Sequence, residues 1–269
     1  MTRHTCTFCQ AKRYAAEMSL VRHRLFGEKT AWVCSSHVSE FSDIFDVRTP
    51  APKPVFLELF SGSGQIAAAA SMRGFEGVTV DINPKFRPDV VADICNLRRS
   101  ALPGRVDVIW ASIPCTVYSV LNLANHWQKI PIGHRRYHYS PTTPEALQAL
   151  RILAATLRLI RKLKPLYFFL ENPRGALRHM PHVQAIPFRR SVHYSDYGFS
   201  YPKPTDIFTN CPHFVPITPI GKAKLNGNAS GIADLHGAFR RALVPPQLVS
   251  YLLDCLNFLL PEKAPMEAV

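Results

Sequence analysis

The chain has 269 residues, enough for one α/β domain with a full hydrophobic core and a small additional module. Its 32 Lys and Arg residues outnumber 19 Asp and Glu residues, and the resulting formal charge of +13 fits a polyanionic partner. The start has no apolar core typical of a secretory signal, and no apolar run approaches the roughly 18 residues of a membrane span. We therefore expect a soluble, cytoplasmic protein without membrane helices.

The first segment, residues 1–46, contains two pairs of candidate metal ligands. The pairs Cys6-x-x-Cys9 and Cys34-x-x-His37 have a spacing suited to one tetrahedral zinc ion. A segment of this length with few large apolar side chains would fold poorly alone, so a bound metal would supply its stability. The alternative is a set of unrelated cysteines and a surface histidine. The sequence predicts a structural zinc module.

A proline-bearing linker over residues 47–54 precedes the second predicted domain, residues 55–269. In this domain short apolar runs alternate with helical periodicity, which is typical of strand-helix units and a mostly parallel sheet. We therefore predict an α/β fold. The predicted strands cover residues 55–60, 77–81, 106–111 and 166–170.

Two helices and one long loop are predicted in the second half of this domain. Thr143 as the N-cap and Pro144 at the first helical position mark the start of a helix that ends before Pro165. A final helix is predicted over residues 246–259. Residues 121–142 lack a helical period and interleave basic with aromatic side chains, so we predict a functional loop there.

A glycine turn follows the first predicted strand of the domain. Gly62 and Gly64 would let a ligand approach the backbone closely, and the start of a helix over residues 65–70 would offer free N–H groups. Asp81 ends the next strand, where a carboxylate can accept hydrogen bonds from a ribose, and Asp93 follows. An ordinary turn with solvated acids is the alternative. The ordered series favours an adenosine-containing cofactor.

Two reactive side chains are predicted at the carboxyl ends of later strands. Cys115 follows a buried strand, and its thiolate would be a strong nucleophile that could activate carbon 5 of a pyrimidine by covalent addition. Glu171 follows the strand after the long helix and is a candidate proton donor. A buried cysteine and a helix-capping glutamate are the alternatives. We expect the two side chains to share one site, because ligand chemistry in open α/β sheets occurs at this edge.

Taken in order, these motifs closely resemble those of the cytosine-5 DNA methyltransferases, especially compact bacteriophage-type members. The resemblance covers about residues 55–260. Its motifs are Phe60-x-Gly62-x-Gly64, Asp81, Asp93, Pro114-Cys115-x-x-x-Ser119, Glu171-Asn172 and Tyr197-Gly198-Phe199. It implies a Rossmann-like S-adenosylmethionine-dependent methyltransferase fold, DNA as the partner, and the cytoplasm of a bacterium or a phage-infected cell as the location.

The resemblance also implies a role for each matching residue. Glu58, Asp81 and Asp93 would hold the methionine amino group or its neighbourhood, the ribose and the adenine of S-adenosylmethionine. The implied cofactor-binding set is Glu58, Phe60, Gly62, Gly64, Asp81, Ile82, Asp93, Ile94 and Pro114.

For the reaction itself, the resemblance implies that Cys115 adds to C6 of a flipped cytosine while Glu171 donates a proton or hydrogen bond at N3. The family's glutamine-arginine motif is replaced here by a segment that begins at Lys203. Lys203 or Arg174 would therefore make the contact to the base that an arginine of this motif makes in the family, and both are predicted catalytic residues.

The short spacing before the last motif leaves room only for a small target-recognition insert at about residues 211–240. Two alternatives remain open at this stage. RNA cytosine-5 methyltransferases share the same motifs, and a non-catalytic nucleic-acid-binding protein could retain the fold. The presence of both Cys115 and Glu171 favours an enzyme.

Overall fold

The structure is a computed structural model that describes residues 3–5, 12–14, 18–23, 30–34, 37, 45–48, 53–133, 137–216 and 242–260. Its contacts divide the chain into two units, one comprising residues 1–53 with 261–269 and the other residues 54–260. Among the described residues no helix has the length and apolar character needed to cross a bilayer. The predicted boundaries of the module, the linker and the recognition insert stay predictions.

The described part of the first unit consists of short antiparallel strands. They are β1 (Arg3–Thr5), β2 (Lys12–Tyr14), β3 (Met18–His23), β4 (Thr30–Cys34) and β5 (Phe45–Arg48). Strand β1 pairs with β2, and β3 lies between β4 and β5.

The predicted zinc site falls largely outside the described residues. Cys6 and Cys9 are not described, Cys34 is the last residue of β4, and His37 is half-buried. In the part of the chain that the structure covers, no group of three or more His, Cys, Asp or Glu side chains could hold a metal ion. The zinc site therefore stays a prediction.

The second unit is built on a seven-stranded, mostly parallel sheet with helices on both faces, which confirms the predicted α/β class. The strands of this unit are β6 (Val55–Leu59), β7 (Glu76–Asp81), β8 (Val90–Val91), β9 (Val108–Ser112), β10 (Trp127–Pro131), β11 (Tyr137–Pro141), β12 (Tyr167–Pro173), β13 (Phe188–His193) and β14 (Pro204–Thr209). The sheet order is β13-β14-β12-β9-β6-β7-β8. Strands β6, β7, β8, β9 and β12 are parallel, whereas β14 runs antiparallel to β12 and β13.

The helices of this unit are α1 (Gln65–Met72), α2 (Leu123–His126), α3 (Pro144–Leu163), α4 (Pro181–Gln184) and α5 (Pro246–Asp254). Short 3-10 turns include Ala176–His179 and Tyr194–Tyr197. Helix α3 begins as predicted: the Thr143 side chain accepts a hydrogen bond from the Ala146 N–H at 3.3 Å, and Pro144 is the first helical residue.

Alternating side chains along the strands form two cores, one on each face of the sheet. Leu57, Ile109 and Leu170 pack in one core together with apolar residues of α3. Phe56 and Trp110 point to the other face, where they share a core with residues of α1 and α5. Because both faces are covered, the central strands are mostly apolar.

Two features of the second unit differ from the sequence expectations. The predicted loop over residues 121–142 contains α2 and an antiparallel hairpin of β10 and β11, in which Trp127 pairs with Pro141. Strands β13 and β14 were not predicted. Strand β14 contains Pro204 and Asp206, residues that rarely occur in strands, and β13 is a largely polar edge strand.

Candidate active site

Four parallel strands end side by side at one edge of the sheet, and the predicted chemical groups follow these ends. In the register of the sheet, Leu59 lies beside both Val80 and Ala111, and Glu171 lies beside Ser112. The glycine turn, Asp81, the Cys115 loop and Glu171 are therefore brought to the same edge. This is the edge at which open α/β sheets bind ligands.

The glycine turn after β6 is held by the carboxylate of Asp81. The N–H of Gly62 donates to Asp81 Oδ2 at 2.8 Å, and the N–H of Asn83 donates to Oδ1 at 2.8 Å. Gly62 and Gly64 have φ angles of 50° and 69°, in the left-handed region that favours glycine. A Cβ atom on Gly62 would meet nothing within 4 Å, so this face of the turn is open to a ligand.

Glu58 lies behind the turn and interacts with the first turn of α1. Its side chain is 3% exposed, and Oε2 accepts a hydrogen bond from the Ala67 N–H at 2.7 Å. Burial is the main cause that raises the pKa of Glu58 from 4.5 to about 7. A carboxyl group here satisfies one of the unpaired N–H groups at a helix start. The predicted contact with the methionine amino group stays a prediction.

The other residues of the predicted cofactor set differ in exposure. Ile82 is 66% exposed at the end of β7, and Pro114 is also exposed, whereas Phe60 is half-buried and Ile94 is buried. Asp93 Oδ1 accepts a hydrogen bond from the backbone of the second following residue at 2.9 Å. The set thus combines exposed apolar groups with carboxylates that brace tight turns.

Cys115 lies in a tight turn after β9 and is half-buried. The N–H groups of Tyr118 and Ser119 both donate to the Cys115 carbonyl at 3.0 Å. A cavity of about 390 Å³ lies next to this turn and is lined by Pro114, Thr116 and residues of α3. The backbone hydrogen bonds therefore give the Cys115 loop a defined geometry, while Cys115 itself is not among the residues that line the cavity.

The end of β12 clamps this loop at two points. The side-chain amide of Asn172 donates to the Ile113 carbonyl at 2.9 Å, and the N–H of Ala176 donates to the Tyr118 carbonyl at 2.8 Å. Between these points the backbone of Gly175 packs against Tyr118 so closely that a Cβ would lie 2.0 Å from the carbonyl oxygen. The segment that carries Glu171 thus also fixes the position of the Cys115 loop.

Glu171 is 4% exposed and accepts a hydrogen bond from the Tyr194 hydroxyl, with 2.9 Å between the oxygens. Lys203 is 5% exposed, and its ammonium nitrogen lies 4.5 Å from the centroid of the Tyr194 ring. Burial, followed by the nearby negative charge of Glu171, raises the pKa of Tyr194 well above its usual value. The structure brings Lys203 into the environment of Glu171 through this tyrosine.

Arg174, the other predicted base contact, lies just beyond β12 and is exposed. Its backbone N–H donates to the Pro204 carbonyl at 2.8 Å, which ties the end of β12 to the start of β14. Arg174 is thus exposed to solvent, whereas Lys203 is buried.

Sequence reasoning did not identify Tyr194, Asn172 or Gly175 as functional residues. Asn172 follows Glu171 directly and belongs to the Glu171-Asn172 motif, whereas Gly175 lies four residues after Glu171 and outside that motif. Tyr194 reaches Glu171 because β14 lies antiparallel beside β12 and β13 pairs with the far edge of β14, and neither strand was predicted.

Three of the similarities to known proteins are described here in turn. The family model for C-5 cytosine-specific DNA methylases matches residues 55–198. A relative named "Probable DNA (cytosine-5)-methyltransferase", from Frog virus 3 (isolate Goorha), is 31% identical over 224 residues, which cover 74% of this chain and 98% of the relative. A solved structure of a protein described as a DNA modification methyltransferase encoded within an E. coli prophage is 18% identical with a TM-score of 0.39. That alignment covers 58% of this chain and 46% of the prophage protein, so the chain spans about half of its length.

Proposed function

This chain belongs to the C-5 cytosine-specific DNA methylase family, whose members methylate carbon 5 of cytosine in DNA, and we propose that it uses Cys115 as a covalent nucleophile. The observation that carries this proposal is the clamp between the Cys115 loop and the segment of Glu171. It ties the loop of Cys115 to the segment of Glu171 at the ends of adjacent parallel strands, and this supports a site in which both side chains act on one pyrimidine ring.

The residues at the strand ends fit S-adenosylmethionine as the methyl donor. The open face of Gly62 gives room for close approach, the Asp81 carboxylate fixes that turn, and the exposed Ile82 offers an apolar surface for an adenine ring. We propose that Phe60, Ile94, Asp93 and Pro114 complete the site. When bound, the cofactor supplies a methyl group that is electrophilic because it is attached to a sulfonium.

Cys115 performs the first covalent step of the proposed mechanism. Its thiolate adds to C6 of the cytosine, so an S–C6 bond forms while the C5–C6 double bond shifts electron density to C5. Carbon 5 becomes the nucleophile that accepts the methyl group. After loss of the C5 proton to a base, the S–C6 bond breaks, the C5–C6 double bond is restored and the thiolate is regenerated.

Glu171 stabilises the charge that this addition places on the ring. A proton or hydrogen bond at N3 neutralises the developing negative charge and makes the ring an enamine. The buried Lys203 adds a positive charge near the same carboxyl group, and we propose that it contacts the base. We propose that the exposed Arg174 also contacts the nucleic acid.

DNA as the substrate agrees with the charge and geometry of the protein. The formal charge of +13 attracts the phosphate backbone, and the half-buried Cys115 requires that the target base leave the helical stack. A small recognition insert at about residues 211–240 remains part of the proposal; residues 217–240 lie outside the described residues.

Mass spectrometry of hydrolysed DNA tests the mechanism directly. Wild-type protein with S-adenosylmethionine should produce 5-methylcytosine, and it should form a stable covalent complex on DNA with 5-fluorocytosine, because fluorine cannot leave as the C5 proton does. Cys115→Ala should yield neither. Cys255→Ala is the matched control, since this half-buried thiol lies beyond α5. Methylation by Cys115→Ala would overturn the nucleophile assignment.

We also propose that Cys6, Cys9, Cys34 and His37 bind one structural zinc ion, on the basis of their spacing alone. Elemental analysis of protein purified without chelator should give one zinc per chain, and Cys34→Ser should lower that ratio. A metal-free wild-type protein that melts at the same temperature with and without added zinc would refute this proposal.

A further inference from the structure

The Tyr194 hydroxyl is a fully buried polar group with no part in the mechanism described so far. The Tyr194 side chain is 0% exposed, and its hydroxyl donates a hydrogen bond to Glu171 Oε1 at 2.9 Å. Tyr194 begins the 3-10 turn that follows β13, and its own N–H donates to the Pro202 carbonyl at 2.6 Å. The ring is thus held rigidly against the carboxyl group.

The Tyr194 ring also supports Lys203. A buried ammonium group is costly unless it is compensated, and here its nitrogen lies 4.5 Å from the ring centroid in a cation–π contact. Lys203 has a φ angle of 27°, an uncommon conformation for a residue with a side chain, and the Thr205 hydroxyl donates to its carbonyl at 3.0 Å. A strained backbone conformation such as that of Lys203 persists only when the surrounding structure holds the residue in place.

We propose that Tyr194 is a positioning residue for methyl transfer, which aligns Glu171 through its hydroxyl and places the Lys203 ammonium through its ring. This inference rests on the proposed function of Glu171. With Oε1 bound to the tyrosine, the carboxyl group has one fixed rotamer and presents Oε2 to the N3 edge of the base. A single aromatic side chain thereby orients the proton donor and the cation of one site.

The two interactions of Tyr194 can be separated by substitution. Tyr194→Phe removes only the hydroxyl and keeps the ring beneath Lys203. Because the hydrogen bond from Tyr194 should strengthen as Glu171 gives up its proton and becomes charged, its loss should slow single-turnover methylation by about 10-fold to 100-fold. The KM for S-adenosylmethionine should change by less than about 3-fold, since the cofactor site is formed by other strands.

A double-mutant cycle distinguishes alignment of Glu171 from a purely structural role. If Tyr194 acts through Glu171, Tyr194→Phe should slow a Glu171→Gln protein by less than about 3-fold. Tyr251→Phe is the matched control, because it also removes a tyrosine hydroxyl that donates to the protein, here to the Val215 carbonyl. This control should retain the wild-type rate.

Three outcomes decide the inference. A wild-type rate in Tyr194→Phe overturns it, as does an equal slowing in the wild-type and Glu171→Gln backgrounds. Failure of the proposed function would look different, because Glu171→Gln alone would then methylate at the wild-type rate. A slow Tyr194→Phe protein whose defect disappears in the Glu171→Gln background supports the positioning role.

Discussion

Replacing Gly175 by alanine should displace the Cys115 loop without touching any predicted reacting group. The φ angle of Gly175 is −179°, an extended conformation open to every residue, so backbone strain is not the problem. The problem is space: the added Cβ would lie 2.0 Å from the Tyr118 carbonyl oxygen and 3.0 Å from its carbonyl carbon. Both are backbone atoms, so the loop and the end of β12 must move apart by at least 1 Å, which weakens the Ala176–Tyr118 hydrogen bond.

This displacement should lower both the activity and the stability of the protein. Overpacking by one methyl group should lower the free energy of unfolding by about 1–3 kcal/mol. A shift of about 1 Å between reacting groups can slow a reaction by about 100-fold. Rapid-quench single-turnover methylation and urea unfolding measure the two effects. Gly104→Ala is the control, because a Cβ there meets nothing within 4 Å. A Gly175→Ala protein that methylates at the wild-type rate would refute the clamp.

Two further predictions concern buried carboxyl groups. Because the pKa of Glu58 is raised from 4.5 to about 7, the folded protein retains a proton that the unfolded chain loses between these values. Stability should fall as pH rises through this window, by about 3 kcal/mol, and Glu58→Gln should remove that fall in urea unfolding series at pH 5 and pH 8. An unchanged pH dependence would contradict the burial argument. Arg178→Met should lower the free energy of unfolding by about 3 kcal/mol, because it leaves the Asp206 carboxylate, only 2% exposed, without its ion-pair partner. A loss below about 0.5 kcal/mol would show that Ser191 compensates for the arginine.

The parallel half of the sheet could be predicted from sequence because its signals are local. The predicted strand over 55–60 is observed as Val55–Leu59, and the helix that begins at Pro144 ends at Leu163, before Pro165. A fully buried apolar strand and a capped helix are each determined by adjacent residues, so periodicity alone identifies them.

The antiparallel half could not be predicted in the same way. Strand β14 reads Pro-Thr-Asp-Ile-Phe-Thr, with a proline at its start and an acid in its middle. Asp206 is tolerated there because Arg178 and Ser191 satisfy its oxygens, and both partners lie more than ten residues away. The β10–β11 hairpin was missed because its stability depends on packing of Trp127 against Tyr118, at a centroid distance of 5.5 Å.

The unpredicted strands explain how a parallel sheet can supply both a nucleophile and a charged environment. Adjacent parallel strands are about 4.8 Å apart, so the neighbouring ends of β9 and β12 bring the loop of Cys115 and the segment of Glu171 to the same edge of the sheet. A parallel strand in the position of β14 would bring only its carboxyl end to this edge of the sheet. Because β14 runs antiparallel to β12, its first residues lie beside the carboxyl end of β12, and Lys203 enters the site from there. The reversal of β14 therefore brings Lys203 to the environment of Glu171, while Tyr194 arrives from the carboxyl end of β13, which runs in the same direction as β12.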